Sequence, residues 1–451
     1  MNEQTNNSNA LGWGEKLAFA LGSTGKDMLL GLSNLLLFFY TDVFGIAAAT
    51  AGSIFLIARI IDAFTDLFIG YAIEHTHTKW GKMRPYILYG AIPFAAFSAL
   101  IFMKPDLAED GKIAYAFITY TIYMVLYSLV SIPHAGLNAL MTRDVKEMAR
   151  LSGLLIVGSS IGMLIATSGT MAIVAQASSP SEGFKLAGVI ISILGAIFLL
   201  ICFAKTRERV VENNADAGEK ITLLFAAKFV FRNAPLLLLS SMYVLTMIGM
   251  MSRVTTLLYY CKYNLGSEEL FGPLNLAGMV IGLALTVIVA NYLLSRFDKK
   301  IVLGGASVAY ILFNGMLYCI PSASLGMTEV VAAISLSIVS VLILCHWSML
   351  PDVVEYSAWR LGLRGDGIIY AVFNFLQKLA MAIGGALAGW LLASSGYIPN
   401  VVQTESALQS ILCLQIIVPS IASVLTLVIL MIYPLKKSVL TQIREESAVS
   451  R

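Results

Sequence analysis

Charge is scarce in this sequence. Of its 451 residues 13% are Asp, Glu, Lys or Arg, against about 25% in a soluble domain. That shortage excludes an ordinary water-facing surface and places the chain among integral membrane proteins. Cysteine is also sparse. Cys202, Cys261, Cys319, Cys345 and Cys413 stand singly in apolar runs without a CxxC pair, so no disulfide framework or thiolate metal site is expected. No GxxxxGK[ST] run occurs, which argues against nucleotide drive within the chain, and no Ser-His-Asp or metal-hydrolase motif supports an enzyme. His75 and His77 lie two residues apart with no third ligand nearby, so a metal site is not expected there. His134 and His346 lie next to helix ends or the core, and His346, beside Trp347, has a second reading as a side chain that reaches the cavity. The net charge of +3 is small and sorted by side, and nothing points to nucleic acid. The opening MNEQTNNSNALGWGEK has one lysine and no basic run leading into a cleavage site. The first apolar segment is therefore expected to stay as a helix.

What the chain has in abundance is long apolar runs, with 58% hydrophobic residues. A spanning helix needs about 20 such residues, and twelve spans are predicted: 17–41, 46–73, 85–103, 113–132, 151–174, 184–204, 235–260, 271–294, 301–320, 328–350, 367–394 and 406–434. With both ends inside, the inner segments hold Lys79, Lys82 and Arg84, then Arg143, Lys146 and Arg150, six basic residues in 205–232, then Arg296, Lys299 and Lys300, and Arg360 and Arg364. The tail adds Lys436, Lys437, Arg444 and Arg451, whereas the outer loops hold only Lys104, Lys112, Lys185 and Lys262. That asymmetry sets the orientation. The expected organisation is a six-helix bundle (1–204), a central inner loop (205–234), a second six-helix bundle (235–434) and a tail (435–451). Short basic turns recur at matching places in both halves (HTKWGKMRPY with SRFDKKIV, TRDVKEMAR with PDVVEYSAWRLGLRGDG). This all-α, six-plus-six plan is similar to that of major facilitator transporters.

Three charges share one face of the second span. Arg59, Asp62 and Asp66 are spaced i, i+3, i+7. Each costs roughly 2.5–3.5 kcal/mol near a bilayer centre by insertion scales, so they must face the protein interior with partners. One arginine neutralises only one of the two acids. A proton or Na⁺ can satisfy the other, which makes the pair a candidate cation-coupling site. The other intramembrane charges are Lys26 and Asp27, adjacent and expected to point in different directions, Arg253 in the outer half of the seventh span, and Lys378 half-way along the eleventh. Asn374 stands one turn before Lys378. Arg253 has two readings, a group at the solute cavity or a side chain reaching outward to the headgroups.

RIIDAFTDLFIGYAIEHTHTKWGKMRPY resembles the second span and following loop of the glycoside–pentoside–hexuronide:cation symporters, the melibiose-permease group. GSTGKD, FFYTDVFGI, VLYSLVSIP and LPDVVEYSAWRLGLRGDG are similar to other segments of that family, and the resemblance runs over essentially the whole chain. It implies a cation site of Asp62, Asp66, Thr65 and Ser128. It implies sugar contacts from Lys26, Asp27 and Tyr127, and places Lys378 between the cation and sugar sites. Ser131, Arg253, Trp347 and Asn374 complete the candidate substrate contacts, and Arg59, Arg84, Asp352 and Arg364 are candidate structural or gating residues. Three departures matter. Ser131 stands where the melibiose type has an aspartate, Ala135 where it has an aromatic platform, and Leu155 where it has an arginine. These argue against an α-galactoside. Thr65 replaces an asparagine, which removes an amide oxygen suited to Na⁺ and makes a proton the expected ion.

The expected protein is thus a monomeric sugar symporter of the bacterial inner membrane, without a cofactor other than its coupling ion, H⁺ or Na⁺. A carrier of an amphipathic or lipid-like solute on the same fold is the alternative. A membrane-embedded enzyme is a further one, for which no nucleophile or metal motif is found.

Overall fold

The computed structural model describes residues 11–210, 223–320, 325–361 and 365–449. Arg364, Arg451 and residues 211–222 of the central loop lie outside the described residues. Among the described residues ten helices are long and apolar enough to cross a membrane. They are α1 (Trp13–Phe44), α4 (Glu109–Met141), α5 (Lys146–Gln176), α6 (Pro180–Lys205), α7 (Ala234–Asn264), α8 (Glu268–Arg296), α9 (Lys299–Cys319), α10 (Gly326–Leu361), α11 (Asp366–Ser394) and α12 (Glu405–Ile432). Two more helices occupy the second and third expected spans: α2 (Ala48–Glu74), which carries the three charges, and α3 (Arg84–Leu100). Large apolar side chains stand exposed on the surface, Leu67, Phe68 and Tyr71 of α2 among them, as a lipid-facing helix requires.

Two boundaries differ from the hydropathy reading by more than about five residues. The fourth span runs on to Met141 rather than 132, and the tenth to Leu361 rather than 350. Hydropathy falls where a helix leaves the hydrocarbon, but backbone hydrogen bonding does not. A helix of 36 residues is roughly 54 Å long, well beyond a core of about 30 Å, and its C-terminal end is polar helix rather than loop.

The chain divides into two compact units, Met1–Asp216 and Ala217–Arg451. In the first, α1 packs on α5 and α6, α2 on α4, and α3 on α4 and α6. In the second, α7 packs on α11 and α12, α8 on α10, and α9 on α10 and α12. Adding six to each helix number turns one set into the other, so the weak sequence repeat is a repeat of packing. In its most apolar stretch α1 is 78% buried while α5 is 28% buried, which makes α1 an inner helix of its unit.

Close approach explains how α1 stays inside. Gly158 and Gly162, one turn apart on α5, sit against the backbone of α1. A Cβ on Gly162 would strike Thr24 O and stand 2.8 Å from Met28 N. Small residues let helix backbones touch in this way. In its middle α1 passes through a 3₁₀ turn, Leu32–Leu35. Tyr123 of α4 supplies the hydroxyl there, donating to Leu29 O (2.8 Å) and Leu30 O (3.1 Å).

A second tie holds the end of this unit where α2 turns into α3. Gly81 takes φ +103°, a left-handed conformation that glycine adopts without strain. The next three amides, Lys82, Met83 and Arg84, then all point at the Glu208 carboxylate, at 2.9, 2.8 and 3.0 Å. A carboxylate at a helix N-terminus meets unbonded N–H groups and the positive end of the dipole. Glu208→Ala is expected to cost about 1–2 kcal/mol, as loss of a helix cap does. A thermal melt of the purified protein should drop by roughly 2–8 °C, with Glu208→Gln falling between. An unchanged melt removes this tie from the account. The second unit uses the mirror arrangement, with Asp298 capping α9 through Lys300 N (2.9 Å) and accepting from Lys437 N (2.9 Å).

Candidate functional site

Each unit carries a polar cluster inside its apolar helices. In the first, Asp62 is fully buried and accepts from Ser128 Oγ on α4 at 2.6 Å. Thr65 Oγ1 donates back to Asp62 O at 2.8 Å, so its hydrogen is used on its own helix while its oxygen lone pairs stay available. Asp66 follows one turn on, half-buried, with one carboxylate oxygen closed off from solvent. Arg59 precedes, buried beside Tyr120 and Asp62. The face thus carries two carboxyl groups and one guanidinium, set among buried side chains of α2 and α4. The helical spacing of 59, 62 and 66 puts them on one face, and the α2–α4 packing delivers Ser128 to that face from 66 residues away.

Lys26 and Asp27 do not point apart. Both are buried, and Lys26 Nζ meets Asp27 Oδ2 at 2.7 Å. Neighbouring positions on a helix diverge by about 100°, but the four-carbon lysine stem is long enough to fold back to its neighbour. The ammonium also lies 6.0 Å from the ring centre of Tyr127, within cation–π reach. Tyr127 is flanked by Phe94 at 6.0 Å, and Ser131 is half-buried one turn further along α4. The structure thus gathers Lys26, Asp27 and Tyr127 around one another, and Ser128 with Asp62. Sequence reasoning missed Tyr120 and Tyr123, whose rings are 5.9 Å apart beside Arg59. The signal was present, since 120, 123 and 127 share one face of α4.

In the second unit Trp347 donates its indole N–H to Tyr243 Oη (3.0 Å) and meets Phe373 edge-on, while Tyr243 stacks on Phe373 at 4.3 Å. Tyr243, Phe373 and Tyr370 do not stand out in the sequence, because an aromatic in an apolar run reads as core. Asn374 is exposed and donates to Tyr370 O (2.9 Å), and Lys378 is half-buried one turn beyond. His346 is fully buried with Nδ1 at 2.7 Å from Leu342 O, so it does not reach a cavity in this state. His134 is likewise buried, stacked on Phe19.

Arg253 does not extend to the headgroups. It is 1% exposed, and its side-chain partners are Tyr310, Asn314 and Ser335 rather than Trp347, Asn374 or Lys378. Asp352 takes Lys299 Nζ on both oxygens (2.7 and 2.8 Å), while the same ammonium bonds Ser348 O. Arg84 donates to Trp80 O and Phe203 O and lies over the Phe203 ring. Arg84 and Asp352 therefore tie helix ends together within their own units. Among the described residues no three His, Cys, Asp or Glu side chains are grouped to hold a metal ion.

Among the described residues, ten helices long and apolar enough to cross a membrane and two more at the second and third expected spans fall in two repeated units. Polar side chains are buried in each unit, and this is the build of a membrane transporter of the major facilitator type. The chain belongs to the MFS/sugar transport protein family, which it matches over residues 18–437. It is 33% identical to the isoprimeverose transporter of Lactiplantibacillus pentosus, over 95% of this chain and 90% of that one. With the glucuronide carrier protein homolog of Escherichia coli (strain K12) it shares 32% identity, over 94% and 93%. The crystal structure of the nucleoside transporter NupG superposes with a TM-score of 0.66 at 15% identity, covering 94% of this chain and all of that one, a likeness of fold. The protein is a transporter and not an enzyme.

Proposed function

We propose that this protein imports a glycoside, pentoside or hexuronide across the bacterial inner membrane together with a cation, as a monomer with both termini in the cytoplasm. The observation that carries the coupling is the fully buried Asp62 with Ser128 Oγ bonded directly to its carboxylate at 2.6 Å. Thr65 supplies a hydroxyl rather than an amide oxygen, and a proton needs only one carboxylate, which favours a proton over Na⁺. Protonation of the Asp62/Asp66 pair removes the excess negative charge and favours the sugar-binding state. The sugar in turn favours protonation, because coupling between two sites is reciprocal. Lys26, Asp27, Tyr127 and Ser131 are the proposed sugar contacts of the first unit; Trp347, Asn374 and Lys378 are proposed, separately, for the second. Carboxylate and amide groups pair with sugar hydroxyls, and aromatic rings cover the apolar sugar face. The family and the names of its relatives support the cargo class, and the basic inner loops support the orientation.

The test is uptake of a panel of labelled neutral and acidic glycosides into proteoliposomes under imposed gradients. Uptake is expected to follow a pH gradient in sodium-free buffer and to collapse with a protonophore. Uptake that requires sodium and ignores the pH gradient would make Na⁺ the ion. Failure to take up any glycoside under either gradient would remove the sugar reading. In the same assay Lys378→Ala is expected to lose more neutral-sugar uptake than Arg253→Ala, and the order reverses if the cargo is acidic.

A further inference from the structure

The geometry points to a second ligand site, an oxyanion site at Arg253 in the second unit. Its substrate arm rests on the sugar reading above, and its free-anion arm does not. Nη1 of Arg253 donates to Tyr310 Oη (3.2 Å), Asn314 Oδ1 (3.1 Å) and Ser335 Oγ (2.7 Å). Those three side chains come from α9 and α10, and each is at most 3% exposed. All three partners are neutral. They orient the guanidinium without cancelling its charge, and among the described residues no ion pair is formed by this buried cation, which is costly to leave unpaired.

The distribution of bonds is uneven in a telling way. All three acceptors crowd onto Nη1, the nitrogen on the Cδ side. Nε is buried with no acceptor, and so is Asn314 Nδ2. The edge of the guanidinium formed by Nε and Nη2 is the one that grips a carboxylate or sulfonate with two parallel N–H bonds. Here that edge carries none of the three bonds, and the amide of Asn314 is a further donor close by. Behind it, Gln415 of α12 donates to Arg253 O (2.8 Å) and Thr256 Oγ1 (3.1 Å), which fixes the arginine's place on α7. A fixed cation, a buried side-on edge that carries none of its three bonds and a spare amide donor together match a singly charged acid group. Arg253 is closed off in this state, so the anion enters when the helices around it open. Either the acid group of the carried sugar or a small free oxyanion supplies the ligand.

Thermal unfolding of the full-length purified protein separates these sources. Glucuronate, glucose and nitrate would be titrated against chloride at constant ionic strength, since a ligand bound to the folded state raises the melting temperature saturably. Stabilisation by glucuronate but not glucose or nitrate assigns the sugar acid. Equal stabilisation by nitrate assigns a free oxyanion. In both cases Arg253→Gln is expected to raise the half-saturating concentration at least about tenfold. If Arg253→Gln does not fold, Arg253→Lys keeps the charge, removes the side-on edge and should show the same weakening. No oxyanion effect on the wild type, or an equal effect on the variants, overturns the site. Gradient-driven uptake of neutral glycosides would be untouched by that result. Conversely, absence of any glycoside uptake would fall on the symporter reading and leave a nitrate-stabilised site standing.

Discussion

Replacing Asp62 with asparagine is expected to abolish gradient-driven accumulation of sugar, with a loss of about 100-fold or more, while the protein still reaches the membrane. The substitution keeps the shape and can keep a bond from Ser128 Oγ, which lies 2.6 Å from the carboxylate. It removes the charge that a coupling ion must neutralise. Sugar exchange without a gradient should survive better than accumulation, because exchange needs binding but no net movement of the ion. Asp66→Asn, one turn away, is expected to behave alike. Counterflow and gradient-driven uptake in the same vesicles check this. Undiminished accumulation by both variants would remove the pair from the coupling step, and loss of exchange and accumulation to the same extent would make it a binding or folding site instead.

Gly162→Leu is expected to prevent recovery of folded protein. A side chain there would drive into Thr24 O and Met28 N, and these are backbone atoms of α1 that cannot swing aside. Overpacking a close contact costs about 1–3 kcal/mol even when neighbours can adjust, and here the inner helix of the unit must move. Gly153 gives the control on the same helix, since a Cβ there meets nothing within 4 Å. Gly153→Leu should express normally. Size-exclusion profiles and thermal melts of the two variants make the comparison, and similar behaviour would show that α1 and α5 are not held by this contact.

Much of the site is legible in the sequence, for a physical reason. A charge in a membrane span carries a large cost that can be read from local composition alone, so Arg59, Asp62, Asp66, Lys26, Asp27, Arg253 and Lys378 identify themselves. Spacing along a helix adds which of them share a face. The roles of the partners are not legible in the same way. Tyr243 and Phe373 differ in no local respect from core aromatics, yet they hold Trp347 in place. Glu208 reads as one more acid in a charged loop, and only the fold brings it to three amides about 125 residues back along the chain.

Hydropathy and charge, which act residue by residue, determined from the sequence alone that this chain spans a membrane in two similar halves and keeps a pair of acids inside one helix. Tertiary structure decided how each buried charge is satisfied. It folded Lys26 onto Asp27 rather than away from it, set Ser128 against Asp62, and enclosed Arg253 among three neutral side chains instead of letting it reach the headgroups. The last two outcomes depend on hydrogen bonds between residues 57 to 82 positions apart. No local pattern encodes such a partner, because the geometry that selects it exists only once the helices have packed.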